Sequence, residues 1–165
     1  MAGIIIPSPE TTREFRSALG CFATGVTIVT TQTASGPLGM TANSFSSLSM
    51  TPPLVMWAPA KSSLRYPHFV EAKHFAIHVL HEGQQDLALA FARQGDAFDP
   101  TIWQANAQNV PVIADCLARF ECSAHAVHDG GDHSIIVGKV TQLVMNSGRP
   151  LVFAQGQYRE ITDTL

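Results

Sequence analysis

Residues 24–63 read TGVTIVTTQTASGPLGMTANSFSSLSMTPPLVMWAPAKSS, and how this stretch is read decides the fold. Two runs rich in β-branched and aromatic residues, 26–31 and 54–57, have the composition of strands. Between them lie Thr41, Asn43, Ser44, Ser46, Ser47 and Ser49, mixed with apolar Ala42, Phe45 and Leu48. Polar residues spaced along strands make a sheet face able to hydrogen-bond a ligand, though alone such a face reads as the solvated side of an antiparallel sheet. Lys61-Ser62-Ser63, directly before an expected helix start, shifts the balance. Hydroxyls, helix N–H groups and an ammonium together suit a phosphate. The stretch therefore reads as a ligand cradle with a phosphate at one end.

Outward from the cradle, Ser8-Pro9-Glu10 has the form of a helix start, and Phe15, Ala18, Leu19 and Phe22 follow at helical spacing. Gly36-Pro37 marks the turn between the first two strands, expected over 26–31 and 38–44. Residues 62–72 read as one or two helical turns interrupted at Pro67. Residues 74–80 read as a strand buried on both faces, and 84–93 (QQDLALAFAR) as an amphipathic helix. Residues 95–109, which include Pro100, form a connection without a clear period. Strands over 117–128 and 134–144 flank the hairpin signal Asp129-Gly130-Gly131-Asp132, and 151–153 is a last short strand. Many strands with short turns and few helices suit a mainly β fold, an antiparallel β-barrel with peripheral α-helices. The chain reads as one domain over 1–165, with 1–10 a flexible N-terminal segment.

Composition narrows the function. A net charge of −3 gives no basic field for nucleic acid. Only 14% of residues are charged against 45% hydrophobic, which points to surface covered in an oligomer. Three cysteines without a C-x-x-C pair fit reduced thiols in the cytoplasm. No signal peptide and no apolar run near ~20 residues is seen, so a soluble protein without a membrane span is expected. A metal site is not expected: His74, His78 and His81 fall on a strand, where positions 78 and 81 face opposite sides, and no carboxylate or thiol completes a set. No G-x-S-x-G or G-x-G-x-x-G occurs, which removes the support for a hydrolase elbow or a Rossmann site.

Five pieces stand in a telling order: ATGVTIVTT (23–31), GMTANSFSSLSMTPPLV (39–55), KSS (61–63), GDH (131–133) and G-x-Y-R (156–159). With them the chain, from about 15 to 160, resembles the flavin reductase domain family, the reductase partners of two-component flavin-dependent monooxygenases. The resemblance implies the FMN-binding split β-barrel, normally a homodimer, and NAD(P)H-dependent reduction of FMN or FAD for a separate monooxygenase.

An isoalloxazine ring has a polar edge that strand N–H groups and hydroxyls such as Thr30, Thr31, Ser46 and Ser47 can pair. By resemblance, Asn43 and Ser44 contact the ring or ribityl chain, with Thr41 and Ala42 beside them, and Lys61, Ser62 and Ser63 hold the phosphate. Phe91 and Arg93 border the flavin by the same resemblance, although core packing alone would explain Phe91. Asp132 suits a hairpin tip in any case, whereas a turn does not require His133. The resemblance places His133 and Asp132 against the nicotinamide nucleotide, with Tyr158 helping to close the site. Trp57-Ala58-Pro59-Ala60 departs from the family's usual run before KSS and leaves FMN against FAD open. Two rival readings remain: another split-barrel flavin oxidase, and a non-enzymatic flavin-binding or electron-carrier module.

Overall fold

A computed structural model describes residues 3–99 and 101–161. Pro100 and the first two residues of the expected flexible segment lie outside the described residues. In chain order the elements are α1 (Thr12–Gly20), β1 (Thr24–Gly25), β2 (Thr27–Thr33), β3 (Gly36–Ala42), β4 (Ser46–Ser49), β5 (Leu54–Trp57), α2 (Tyr66–Val70), β6 (His74–Val79), α3 (Gln85–Arg93), β7 (Trp103–Ala105), β8 (Pro111–Ile113), β9 (Ala118–Gly130), β10 (His133–Met145), β11 (Val152–Ala154) and β12 (Gln157–Arg159).

The main sheet is antiparallel, with strand order β3-β2-β6-β9-β10-β5-β4. Its two edge strands, β3 and β4, are consecutive in sequence and separated only by residues 43–45. Four Cα steps span at most about 15 Å, so the sheet must curl until its edges approach. This is the split barrel that the sequence implies. The register follows the period of two. On β3, Leu38, Met40 and Ala42 pack toward a core holding Val29, Trp57, Phe69, Phe75 and Ile77, while Gly39 and Thr41 turn to the other face. A second core, with Val26, Ile28, Leu80, Phe91 and Leu151, lies beneath α3 and a small β1-β11-β12 sheet.

Three details differ from the sequence reading. Pro67 sits in the first turn of α2 and begins the helix instead of interrupting it, because a first-turn residue has no helical acceptor for its missing N–H. The connection after α3 contains a two-strand hairpin, β7–β8, with register Trp103↔Ile113. The strands β1, β4 and β12, outside the expected strands, were too short to carry a period.

The β7–β8 hairpin is held by buried polar groups of the barrel. Thr30 Oγ1 donates to Pro111 O, and Asn106 Nδ2 to Glu121 Oε2 at 2.7 Å, while Arg119 pairs with Glu121 at 2.9 Å. His78, with no exposed surface, sits between strands: Ile113 N–H donates to Nε2 at 3.0 Å, so Nδ1 carries the proton and donates to Ile28 O at 2.9 Å. Burial pushes its pKa down to about 4 from the usual 6.5, with Arg119 adding to the effect against the opposing bond to Ile28.

The unfolded chain therefore binds this proton more readily than the folded one. Stability is complete above pH 6.5 and falls as pH drops from 6.5 through 4, by about 3 kcal/mol in all. Urea unfolding across that window tests the assignment. A His78→Gln variant is expected to be weaker at pH 7 but to lose less on acidification; parallel profiles would contradict it.

Candidate active site

The site is built around the free edge of β3. Gly39 N–H donates to Gly95 O at 2.8 Å and Gly39 O accepts from Arg65 Nη1 at 3.0 Å, so this residue's peptide groups point off the sheet. The period of two turns those of Thr41 the same way, at an edge where no further strand pairs among the described residues. Helix α3 packs against this strand. Thr41 Oγ1 donates to Ala88 O at 2.6 Å, and the Phe91 ring lies so close beneath Gly39 that a Cβ there would come within 2.5 Å of it.

A cleft opens at each end of the β3 edge. Near Thr41, one of about 170 Å³ is lined by Val26, Ala42, Asn43 and the edge-to-face pair Phe153–Tyr158, centroids 5.3 Å apart. Near Leu38, one of about 370 Å³ is lined by Ser63, Arg65, Arg93 and Asp96. At about 3.4 Å per residue the two lie roughly 10–14 Å apart along the strand. A larger cleft of about 480 Å³ by the β2–β3 turn shares only Thr31 with the expected residues.

The KSS loop joins this edge to the β9–β10 hairpin tip. Ser44 Oγ accepts from Ala58 N–H at 2.9 Å, Ala60 bridges His133, and Lys61 N–H donates to Asp132 O at 2.9 Å. The Lys61 ammonium pairs with Asp129, which raises the lysine pKa and lowers that of the carboxylate through their hydrogen bond. Asp132 is likewise lowered, first by its hydrogen bond from His133 Nδ1 at 2.8 Å. With Nδ1–H on the carboxylate, the His133 Nε2 has no hydrogen-bond partner among the described residues.

Residues 19–162 match the family model described as "Flavin reductase like domain". The chain belongs to that family. It is 54% identical, over 94% of its length and 89% of the relative's, to the FMN reductase (NADH) SmoA of Agrobacterium fabrum. It is 43% identical to the reductase component of a flavin-dependent trigonelline monooxygenase from Acinetobacter baylyi, of which it spans about half (48%). Among solved structures, the NADH:FAD oxidoreductase SgcE6 of Streptomyces globisporus, in complex with NAD and FAD fragments, superposes with a TM-score of 0.88 at 32% identity, covering 97% of this chain and 98% of that one.

Within this flavin reductase fold the expected residues separate. Asn43, Ser46, Ser47, Lys61, Ser62, Arg93 and Asp132 are exposed, and Ala42, Ser63, His133 and Tyr158 are half-buried along the same edge, loop and hairpin tip. For Thr30, Thr31 and Phe91 the structure offers a packing role instead. The Thr30 hydroxyl is committed to Pro111 O, that of Thr31 donates to His74 O at 2.9 Å, and both residues are buried. Phe91 has no exposed surface and is core. Thr41 and Ser44 spend their hydroxyls on Ala88 and Ala58, which leaves the outward backbone of Thr41 as its contribution. Tyr158 lines the smaller cleft together with Asn43. The N–H groups of Ser63, Arg65 and Tyr66 are bonded to Ala60 O, Ser63 Oγ and Ser63 O, so these three are not free donors. Arg65 was missed, although it follows KSS by two residues.

Replacing Thr30 with Val keeps the shape and removes one buried bond. We expect a loss of about 1 kcal/mol in unfolding free energy and an unchanged flavin dissociation constant. Weakened flavin binding in a stable variant would return Thr30 to the site.

Proposed function

We propose that this chain transfers hydride from NADH to FMN or FAD and supplies reduced flavin to a separate monooxygenase. The observation that carries this reading is the part of the β3 edge left open at Thr41, with an arginine-lined cleft farther along the strand near Leu38. Relatives with NADH, FMN or FAD reductase names, and one named as a monooxygenase reductase component, support the same assignment.

The residues fit a flavin nucleotide. Outward backbone groups at Thr41 and the Asn43 amide suit the alternating donors and acceptors of the ring's polar edge, with Ala42 against its apolar face. Ser46 and Ser47 lie on β4, across the split. Ser62, Ser63 and Arg93 suit the phosphate. Lys61 can join them by leaving Asp129, since an exposed ion pair holds it only weakly. Bound flavin supplies a two-electron acceptor for the hydride. The protein holds the rings in register and keeps the His133–Asp132 pair, through Nε2, toward the nicotinamide nucleotide.

We also place a second copy of the chain against α1. Phe15, Leu19 and Phe22 are 49%, 60% and 78% exposed, and α1 buries none of its residues within the chain. A short helix depends on covering such a face. Light scattering is expected to report twice 17.8 kDa; a monomer at micromolar concentration would contradict the dimer. Among the described residues no helix is long and apolar enough to cross a membrane, and three free cysteines support a cytoplasmic location.

The enzymatic assignment is tested by following NADH and NADPH oxidation with FMN, FAD and riboflavin in turn. Flavin-dependent turnover is expected; protein that binds flavin yet oxidises no nicotinamide would be a carrier module. His133→Ala is expected to raise the KM for NADH a few-fold to about tenfold with flavin affinity retained, as one lost hydrogen bond would. Equal loss of flavin and NADH binding would mark the histidine as a hairpin residue.

A further inference from the structure

The edge of β3, the C-terminus of α3 and the loop before α2 meet at one side chain. We propose that Arg65 is a positioning residue for the flavin phosphate, acting through Arg93 and thereby setting the preference for flavin nucleotides over riboflavin. The inference rests on the reading of the Ser63–Arg93 cleft as the phosphate end.

The Arg65 guanidinium bonds three carbonyls on two elements. Nη1 donates to Gly39 O at 3.0 Å and to Phe91 O at 2.6 Å, and Nη2 donates to Ala92 O at 3.1 Å. The last two belong to the final turn of α3, whose carbonyls have no helical partner and carry the negative end of the helix dipole. A cation there is stabilised without a carboxylate, and among the described residues Arg65 makes no ion pair. Fixing Ala92 O fixes the peptide group from which Arg93 extends. Arg93 is exposed, also without an ion pair among the described residues, and lines the same cleft.

Two further contacts favour this role. Arg65 N–H donates to Ser63 Oγ at 3.2 Å, so the serine accepts on that side and turns its proton elsewhere. The chain after α3 closes over the arginine stem at Gly95, where a Cβ would lie 2.9 Å from Arg65 Cδ and 2.6 Å from Leu38 Cδ1. One residue thus sets the spacing between a hydroxyl and a cation that line one cleft. Lysine cannot substitute, because one ammonium on a flexible stem lacks the planar fork that reaches both elements.

The test compares wild type with Arg65→Ala, Arg65→Lys, Arg93→Ala and Arg65→Lys/Arg93→Ala. Dissociation constants for FMN and riboflavin come from flavin-fluorescence titration, and KM and kcat for FMN from NADH oxidation. Arg65→Lys, which keeps stem and charge, carries the result if Arg65→Ala fails to fold. We expect Arg65→Lys and Arg93→Ala each to weaken FMN about tenfold and riboflavin less than about twofold, with the loss in KM. The double variant should be no more than about twofold worse than Arg93→Ala, because the two act as one unit. Additive losses would overturn action through Arg93. Equal weakening of FMN and riboflavin would leave Arg65 as packing alone, and wild-type behaviour of Arg65→Lys would remove the need for the fork. Unchanged FMN affinity in Arg93→Ala would instead contradict the phosphate-end reading itself, and the proposal with it.

Discussion

An edge strand presents a row of peptide groups that must find partners outside its sheet, and β3 is where this molecule meets that requirement. Part of the edge is closed internally by Gly95 and Arg65. The remainder, at Thr41, stays open beside Asn43, and it lies where the chain crosses from one edge of the barrel to the other in three residues. A flat polar ring can complete such an edge as a strand would. The split in the barrel and the opening of the site are thus one feature.

Keeping that edge open requires the rest of the structure to be closed. Several buried polar side chains elsewhere are spent on backbone: Thr30 on Pro111, Thr31 on His74, His78 on Ile28 and Ile113. Buried polar groups with satisfied partners specify one arrangement, since each alternative would leave a donor or acceptor without water. At the hairpin tip the balance differs. Lys61, Asp129 and Asp132 are exposed, and their attractions are screened by solvent. The firm bonds therefore hold the barrel, while the weak ones lie where a phosphate or a nicotinamide nucleotide would compete for them.

The strands β2, β3, β9 and β10 and helix α3 were legible because their periods are local. So was the order of the motifs, which carried the resemblance to the family. What a hydroxyl bonds is not local. Thr30 and Pro111 lie 81 residues apart, and nothing in VTIVTT distinguishes a hydroxyl aimed at a ligand from one aimed at a carbonyl. For Phe91 the core-packing reading stood beside the ligand reading, and its complete burial beneath Gly39 favours the core. Arg65 escaped notice because its carbonyl partners are 26 or 27 residues away and carry no sequence signature, as a backbone acceptor is the same in every residue.

Hydrogen exchange at the backbone amides of β3, with and without FMN, tests the central claim most directly. The expected result is that FMN and riboflavin both slow exchange at Thr41 and Asn43, with Ile28 and Val29 in neighbouring β2 little changed. Flavin binding that leaves the Thr41 and Asn43 amides exchanging at their free rate would contradict a flavin seated on this edge.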